Sequence, residues 1–476
     1  MQHSYLQLAD LFKRGIQAGR YQIGERLPSV RECAATHGFS VATAIRCYRH
    51  LEQLGLVEAR SKSGMYVADW QARRSTPTTQ PDAPQTVEYD KLVSLQHRLT
   101  ELYALTAQPL QLGLHLASAA PQWYPVEALA RIAQRLLRQD AAALGVYPTG
   151  TGLPALQAAL SHWLAGCGVQ VAPSDWLITN GSTEALSVAL RAVAPPGSAV
   201  IVESPVYFGL LQMLDNLGLK AIEVPCVPGA GLSLEALEYA LEHQPGVRAV
   251  VAMPNFQNPL GCAMPDKNKK RLLKLIEQHD IALIEDDVFG DLSHQHERPQ
   301  PVKAWDRHGR VIYCGSCSKS LAPAFRVGWV AGGRYQARIA SLKLSSSLVT
   351  PLFEQAVLAE FMASGGLPSH LRKLRERLAA NIPLALEAVR RYFPAGTQVV
   401  SPAGGWWLWL ELPPEVDSLA LLRVAVSQGV AFTPGSLFSS SDKYGHYLRM
   451  NIARPWGREM EQGFRTLGRL VREQAA

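Results

Sequence analysis

The chain has 476 residues, of which 47% are hydrophobic, so it is long enough for two or three domains and is not disordered as a whole. Its formal net charge of +7 is too small, over this length, to indicate nucleic-acid binding by itself. The seven scattered cysteines suggest no disulfide framework, and the N-terminus lacks the apolar core of a signal peptide. Since no long uncharged apolar stretch occurs either, we expect a cytoplasmic protein without a membrane partner.

Residues 1–68 predict a small domain of short helices that ends in a hairpin. Ser29 follows a proline and is placed to cap one helix, which Gly38 ends. Ser40 then caps a second helix, and a glycine-containing turn between two such helices is typical of a helix-turn-helix. The second helix of that motif enters the major groove of DNA. The pattern alone also allows an ordinary helical cap with solvated arginines.

The helix-turn-helix interpretation assigns DNA contacts to two surfaces of this domain. The start of the second helix faces base edges, and Arg46 reaches a phosphate or a base. Residues 56–67 form a two-stranded wing whose basic side chains neutralise phosphates. The candidate DNA-binding residues are Arg31, Ser40, Val41, Thr43, Arg46, Arg60, Lys62 and Gly64.

The order of short motifs in this region is more specific than the helix pattern. It reads G-x-R-L-P-S-x-R, then G-x-S-x-x-T, L-E-x-x-G-L-V and G-x-Y-V, and it resembles the GntR family of winged-helix regulators. The resemblance implies that Arg31, Ser40, Thr43 and the wing contact double-stranded operator DNA. Val41 stands where family members often have arginine, so we expect apolar base readout there, for example of a thymine methyl group.

A linker follows the head. Residues 69–86 contain three prolines and four threonines and little that can be buried, and residues 87–110 return to a helical pattern. We therefore predict a linker with a connecting helix over 69–110.

Residues 111–476 alternate short apolar runs with helical segments. The runs at 199–204, 248–253, 281–286, 311–316 and 327–332 predict buried strands. Such alternation indicates an α/β domain with helices on both faces of a sheet. From about residue 370 the pattern predicts a smaller α+β lobe.

The chemistry of this domain centres on Lys319, which follows the predicted strand 311–316. A lysine buried at a strand end is unfavourable unless it has a function, and a lowered pKa allows it to form a Schiff base. Ser316 and Ser318 flank it and Arg326 follows, a set that suits the phosphate and aldehyde of pyridoxal 5'-phosphate (PLP). A solvated surface lysine is the alternative. The Cys314 and Cys317 pair has redox-motif spacing, but strand and turn packing explains it more simply.

Other segments supply groups that suit the same cofactor. Ser182 and Thr183 begin a predicted helix directly after a strand, where backbone N–H groups bind phosphate. Asp286 ends a strand and is placed to pair with the pyridinium nitrogen. Tyr207 can stack on the ring, and Asn258 can donate to its phenolic oxygen. All five residues lie at or just after the ends of predicted strands, where open α/β sheets bind ligands. We expect no metal ion.

Over some 360 residues these segments resemble the class I, fold-type I aminotransferases. The resemblance implies that Lys319 forms the internal aldimine and that Arg449 binds a substrate α-carboxylate. It implies further that Tyr147 reaches the phosphate of a neighbouring subunit, hence a homodimer. The remaining cofactor-binding residues it implies are Ser182, Thr183, Tyr207, Asn258, Asp286, Ser316, Ser318 and Arg326.

Two departures from the aminotransferase pattern stand out. Phe289 occupies the position of a second tyrosine near the ring oxygen, which removes one hydrogen bond. The usual glycine of the substrate-side segment is replaced within residues 116–121, LASAAP, which is expected to reshape the amino-acid pocket.

A GntR-type head on an aminotransferase-like body is the layout of the MocR subfamily of regulators, which the whole chain resembles. The resemblance implies a domain-swapped, head-to-tail homodimer that senses PLP or a small amino compound through the Lys319 aldimine. An active aminotransferase that carries a DNA-binding head is the alternative, and a silent scaffold with purely structural PLP is a third.

Overall fold

The computed structural model describes residues 4–17, 19–53, 56–60, 64–68, 85–86, 89–295, 297–441 and 443–476. The chain separates into two compact units, Met1–Pro77 and Thr78–Ala476. The smaller unit contains α1 (Ser4–Gln17), α2 (Val30–His37), α3 (Val41–Gln53), β1 (Val57–Arg60) and β2 (Gly64–Val67).

The helix boundaries of the small unit follow from local capping. Ser29 and Glu32 form a reciprocal capping box at the start of α2, and Gly38 ends that helix in the left-handed conformation, with φ +68°. The Ser40 hydroxyl accepts a 3.1 Å hydrogen bond from the backbone N–H of Thr43 and so caps α3. Strands β1 and β2 pair antiparallel. The core beneath them includes Leu8, Phe12, Ile16, Leu27, Cys33, Cys47 and Leu51.

The large unit begins with an alternation of helices and strands. In chain order it contains β3 (Gln85–Thr86), α4 (Tyr89–Thr106), β4 (Leu112–Gly113), α5 (Val126–Gln139), α6 (Pro154–Ala165), β5 (Leu177–Thr179), α7 (Gly181–Val193), β6 (Ala199–Ser204), α8 (Phe208–Asn216), β7 (Lys220–Val227), β8 (Gly231–Leu232), α9 (Leu234–His243), β9 (Val247–Ala252), α10 (Asp266–Gln278), β10 (Ala282–Asp286), β11 (Val311–Ser316) and β12 (Gly328–Ala331).

The remainder of the unit is mainly helical with short strands. It contains α11 (Gln336–Ser347), α12 (Leu352–Ala363), α13 (Gly366–Tyr392), β13 (Gln398–Val399), β14 (Trp407–Glu411), α14 (Ser418–Ser427), β15 (Val430–Ala431), β16 (Thr433–Pro434), β17 (Tyr447–Asn451) and α15 (Arg458–Ala475).

Within the described residues, the main sheet has nine strands in the order β3-β7-β6-β9-β10-β11-β12-β5, with β8 paired to β7. Strands β7, β6, β9, β10 and β11 run parallel, whereas β12 is antiparallel to both of its neighbours. The parallel strands β6, β10 and β11 are buried along their whole length because helices cover both faces of the sheet. Their carboxyl ends therefore share one edge, where a ligand can be bound.

A second, antiparallel sheet of order β13-β14-β17-β16 forms the core of the C-terminal lobe. Residues far upstream join this lobe, because β4 pairs in parallel with β15. Helix α4, within the range predicted as linker, packs on the core of the large unit through buried Leu95, Leu99 and Leu102.

Candidate cofactor site and DNA-binding head

A cavity of about 460 Å³ lies at the carboxyl ends of the parallel strands. Its walls come from loops that follow β6, β9, β10 and β11 and from the start of α7. Eight residues predicted from the sequence line it: Ser182, Thr183, Tyr207, Asn258, Asp286, Ser318, Lys319 and Arg326. Segments more than a hundred residues apart in sequence therefore meet around one space.

Lys319 projects into the cavity from the turn after β11. Its Nζ donates a 2.7 Å hydrogen bond to the backbone carbonyl of Ala117. Burial and the positive charges of Arg449 and Arg326 together lower the pKa of the Lys319 amine to about 8, although Asp286 partly opposes this shift. A lysine with such a pKa is partly neutral near physiological pH, as attack on an aldehyde requires.

Asp286 is the last residue of β10 and is 6% exposed. Burial and the neighbouring carboxylate of Asp287 together raise its pKa from 3.8 to about 7. A 3.3 Å hydrogen bond from the Val288 backbone N–H only partly offsets this. A positively charged ring nitrogen beside Asp286 would restore its ionised form, so the position fits a pyridinium partner.

The start of α7 and the loop after β11 form a cradle that fits a phosphate. Arg326 donates from Nη1 to the Ser318 hydroxyl at 3.0 Å. Gly181, with φ +77°, opens α7, and a Cβ there would lie 2.4 Å from Arg326 Nη2. The guanidinium can therefore approach the helix N-terminus only because residue 181 is glycine. Free N–H groups, hydroxyls and a guanidinium are the donors that bind phosphate.

Ser316 supports this cradle from beneath. Its hydroxyl lies 2.9 Å from that of Ser318 and accepts a 3.0 Å hydrogen bond from the Ser318 backbone N–H. The side chain is buried and does not line the cavity. Ser316 therefore orients Ser318.

Arg449 is 1% exposed, and no carboxylate pairs with it among the residues that the structure describes. Nη1 donates to Asn258 Oδ1 at 2.9 Å, and Nη2 donates to Thr433 Oγ1 at 3.1 Å and to the His115 carbonyl at 3.4 Å. Its Nε finds no hydrogen-bond partner within the described part of the chain. Burial lowers the pKa of Arg449 to about 9. A buried guanidinium that lacks a counter-ion fits a carboxylate ligand.

Aromatic side chains complete the wall. Trp407 lines the cavity and lies under Arg449, with the guanidinium carbon 3.7 Å from a ring centroid. Phe289 also lines the cavity and packs edge-on against Trp406 and Trp407, with centroids 5.4 and 5.9 Å apart. Phe289 has no hydroxyl and so cannot donate to a ring oxygen. Asn258 can do so through its amide N–H groups, because Arg449 donates to the Asn258 Oδ1 and so leaves those N–H groups to face the cavity.

Tyr147 does not reach this cavity. Its side chain is 76% exposed, and Leu144 and Val146 beside it are 64% and 68% exposed. Within one chain, the structure therefore does not bring Tyr147 to the candidate cofactor site.

Cys314 and Cys317 are buried. Burial raises the pKa of Cys317 to about 12 and that of Cys314 well above its usual value. Thiols with raised pKa values are poor nucleophiles, which favours the packing interpretation.

In the small unit, the candidate DNA contacts lie on accessible surface. Arg31, Ser40 and Arg46 are exposed, Thr43 is half-buried, and Val41 is 48% exposed. The Ser40 and Thr43 hydroxyls lie 2.8 Å apart, so the pair that caps α3 also fixes its first turn.

The wing is described in part. Gly64 is exposed and has φ +119° at the start of β2. Lys62 and the side chain of Arg60 lie outside the described residues.

The structure adds two candidate DNA-contacting residues in this unit that the sequence analysis did not identify. Arg26 lies against the wing, since a Cβ on Gly64 would be 3.1 Å from its Nε. Ile45 is 39% exposed and follows Val41 by one helical turn, which forms an apolar strip on α3. The i, i+4 spacing of Val41 and Ile45 could have identified Ile45 from the sequence. Arg26 could not be identified in this way, because it comes next to Gly64 only when the wing folds.

Among the described residues, no helix combines the length and apolarity needed to cross a bilayer. The described side chains also bring together no cluster of His, Cys, Asp or Glu suited to a metal ion.

Comparison with known proteins identifies a matching family for each of the two units. Residues 115–466 match the family described as Aminotransferase class I and II, and residues 4–67 match Bacterial regulatory proteins, gntR family. The uncharacterized HTH-type transcriptional regulator YdcR of Escherichia coli is 36% identical over 98% of this chain and 99% of its own. The probable rhizopine catabolism regulatory protein MocR of Rhizobium meliloti is 30% identical over 93% and 89%. The crystal structure of a multiple substrate aminotransferase from Thermococcus profundus superposes with a TM-score of 0.73, at 30% identity, over 79% of this chain and 94% of its own.

Proposed function

The chain belongs to the aminotransferase class I and II family and carries a GntR-family DNA-binding head, as in MocR-type regulators, and from this premise we propose that its large unit binds PLP at Lys319 and senses a small amino compound or PLP itself. The observation that carries the proposal is the convergence of Lys319, Asp286 and the phosphate cradle on one cavity. Fold-type I aminotransferases depend on PLP, and the donors present fit each part of that molecule.

Each part of the cofactor would have its own protein partner. Bound PLP supplies an aldehyde carbon that accepts amines and a ring that takes up electrons. Lys319 would hold the cofactor covalently, and Asp286 would keep a proton on the ring nitrogen. Tyr207 would pack on the ring, and Asn258 would donate to its oxygen. The phosphate would be held by Ser182, Thr183, Ser318 and Arg326, with Ser316 in support.

The effector would be an amine that also bears a carboxylate. Among the described residues, the buried guanidinium of Arg449 has no carboxylate partner, and the carboxylate of a ligand would provide one. Such a ligand acts as a regulator only if it binds two arrangements of the protein unequally. We propose that occupancy of this site changes operator binding by the head.

We also propose that the functional form is a domain-swapped homodimer. Tyr147 is exposed and lies outside the cavity of its own chain, beside the exposed apolar Leu144 and Val146. A second copy would cover this surface and bring Tyr147 to the phosphate of its partner.

Visible spectroscopy of the full-length protein with PLP tests the cofactor proposal. The protein is expected to show an absorption band that is lost in Lys319→Ala and also in Lys319→Arg, which keeps the positive charge but cannot bond to the aldehyde. A band that persists in both variants would exclude Lys319 as the attachment point.

Operator binding tests the regulatory proposal. Affinity and footprint are compared without PLP, with PLP, and with PLP plus each of a panel of amino acids. We expect at least one ligand to change the affinity or the footprint. An operator complex that is identical in every condition would reject sensing while leaving DNA binding in place.

An active aminotransferase is the second candidate function. The observation that favours it is the presence of both Lys319 and Asp286 on one cavity, with pKa values near neutrality. The loaded protein would convert its cofactor to the amine form with some amino acid. Lack of conversion by any member of the panel rejects this candidate.

A further inference from the structure

Residues 115–118 form a strap across the edge of the cavity, and Ala117 lines it. Backbone hydrogen bonds tie both ends of the strap to the C-terminal lobe. On one side, Leu114 N–H donates to the Ala431 carbonyl at 2.7 Å. On the other, Ala120 N–H donates to the Ala453 carbonyl at 2.8 Å.

Between these ends, four successive backbone carbonyls accept hydrogen bonds from side chains. The His115 carbonyl accepts from Arg449 Nη2 at 3.4 Å. The Ala117 carbonyl accepts from Lys319 Nζ at 2.7 Å. The carbonyls of residues 116 and 118 both accept from Asn451 Nδ2, at 2.6 and 2.7 Å. The Thr433 hydroxyl also donates to the His115 carbonyl, at 3.5 Å. The side chains that hold the strap are therefore Arg449 and Lys319, which are proposed to bind ligands, together with Thr433 and Asn451.

The side-chain amide of Asn451 is buried and fully hydrogen-bonded where it contacts the strap. Its side chain is 0% exposed, and both N–H groups of its amide are used on the strap. Its Oδ1 accepts a 2.8 Å hydrogen bond from the Ala453 backbone N–H, which fixes the orientation of the amide. Asn451 and Arg449 are two residues apart on β17 and so lie on the same face of the strand.

Ligands are expected to affect the hydrogen bonds of these side chains to the strap differently. In the proposed function, PLP engages the Lys319 amine and an effector carboxylate engages Arg449, so either ligand competes with the bond to the strap. The bonds from Asn451 are independent of both ligands. They flank the Ala117 carbonyl on each side and restrain its position.

We propose that Asn451 is a positioning residue that holds the Ala117 carbonyl against the Lys319 amine. The inference rests on the assignment of Lys319 as the reactive amine. Asn451 touches neither the amine nor the cavity directly, and it acts through the strap.

The consequence can be measured on the Lys319 amine. A carbonyl acceptor favours the charged ammonium form, so loss of a fixed acceptor lowers the pKa of the amine. A typical hydrogen bond corresponds to a downward shift of roughly half a unit to one unit. The other charged groups that face Lys319 are Arg449 from β17, Arg326 after β11 and Asp286 from β10, and the substitution retains all three.

The experiment uses the full-length, cofactor-free protein. Lys319 is labelled with acetic anhydride over a pH series, and mass spectrometry of its peptide gives the midpoint pH of reactivity. Asn451→Ala is expected to lower this midpoint by roughly half a unit to one unit.

Asn381 on α13 provides a matched control. It is 5% exposed and also donates from Nδ2 to two backbone carbonyls, those of Ile452 at 2.6 Å and Arg454 at 2.7 Å. Asn381→Ala removes two equivalent bonds from the segment around Ala453, to which one end of the strap is tied, but it leaves the bonds of Asn451 and Lys319 to the strap in place. It should lower thermal stability comparably and leave the midpoint of Lys319 labelling unchanged.

Should Asn451→Ala not fold, Asn451→Ser, which retains one hydroxyl donor, is expected to give a smaller shift in the same direction. An unchanged midpoint in a folded Asn451 variant overturns the proposal. A midpoint that rises also overturns it, because the strap would then only shield the amine from water. The outcome is separate from the proposed function, since a protein without a PLP band can still be labelled at Lys319.

Discussion

Replacement of Arg449 by methionine is expected to stabilise the ligand-free protein while it removes the affinity for carboxylates. Most buried arginines behave in the opposite way. Arg449 differs because it is 1% exposed and, among the described residues, has neutral acceptors but no carboxylate partner. Methionine matches the stem of the side chain and fills the same space without a charge.

The size of the effect follows from the pKa of Arg449, which burial lowers from 12.5 to about 9. A shift of this size corresponds to roughly 5 kcal/mol against the charged form. Contacts with Asn258, Thr433 and Trp407 offset part of that penalty. Replacement of a buried charge by an apolar residue of similar volume gains up to about 1–4 kcal/mol. At roughly 1 °C per kcal/mol for a unit of about 400 residues, the apparent Tm should rise by about 1–5 °C.

Thermal unfolding of the cofactor-free protein measures this effect, and Arg298→Met is the control. The Arg298 side chain is 11% exposed and pairs with both Asp287 and Asp291, so its replacement leaves the buried Asp287 carboxylate without its guanidinium partner and should destabilise the protein by about 3–5 kcal/mol. With PLP bound, Arg449→Met should weaken binding of amino acids by about 30-fold to several thousand-fold. A Tm that falls in Arg449→Met as it does in the control would refute the assignment of Arg449 as a ligand group.

Further predictions concern substitutions at Asp286, in the DNA-binding head and at Tyr147. Because the pKa of Asp286 is raised from 3.8 to about 7, the folded cofactor-free protein binds more protons than the unfolded chain in that window, and its stability falls as pH rises through it, by up to about 4 kcal/mol. Asp286→Asn should make the decline in denaturation curves from pH 4 to 8 shallower by that amount, and parallel curves for the two proteins would contradict the assignment. In anisotropy titrations with operator DNA, Arg46→Ala should reduce the salt slope by about one, whereas Gly64→Ala, strained at φ +119°, should lower affinity without changing the slope. An unaltered slope in Arg46→Ala would remove it from the phosphate contacts. Mixing Tyr147→Ala with Lys319→Ala subunits should restore one complete PLP site per hybrid dimer, and no gain in PLP affinity would reject the shared site.

Local chemistry made much of the chain predictable. Ser29, Gly38 and Ser40 act on backbone groups within a few residues, so their positions predict the helix boundaries of the head. The apolar runs at 199–204 and 311–316 coincide with β6 and β11 because strands buried on both faces admit few polar residues. The placement of polar groups directly after such strands likewise predicts a ligand site at one edge of the sheet.

Tertiary structure decided the contacts between distant segments. The order of strands brings antiparallel β12 between β11 and β5, so that Gly328 lies against Gly181 and α7 begins beside Arg326. No local pattern specifies that order, because a buried run can pair equally well with several neighbours. The hydrogen-bond partners of Arg449 also come from distant segments, since they include Asn258 and the His115 carbonyl.

The sequence by itself determined which residue types the site and the head contain, since caps, turns and strand ends are read over a few residues. Only the tertiary structure decided that Tyr147 lies outside the cavity of its own chain, that Arg449 lacks a buried counter-ion among the described residues, and that Asn451 holds the strap over Lys319. These properties depend on which surfaces are removed from water when the sheets and lobes pack. That packing is fixed by the sum of many weak non-local contacts, which no short segment encodes.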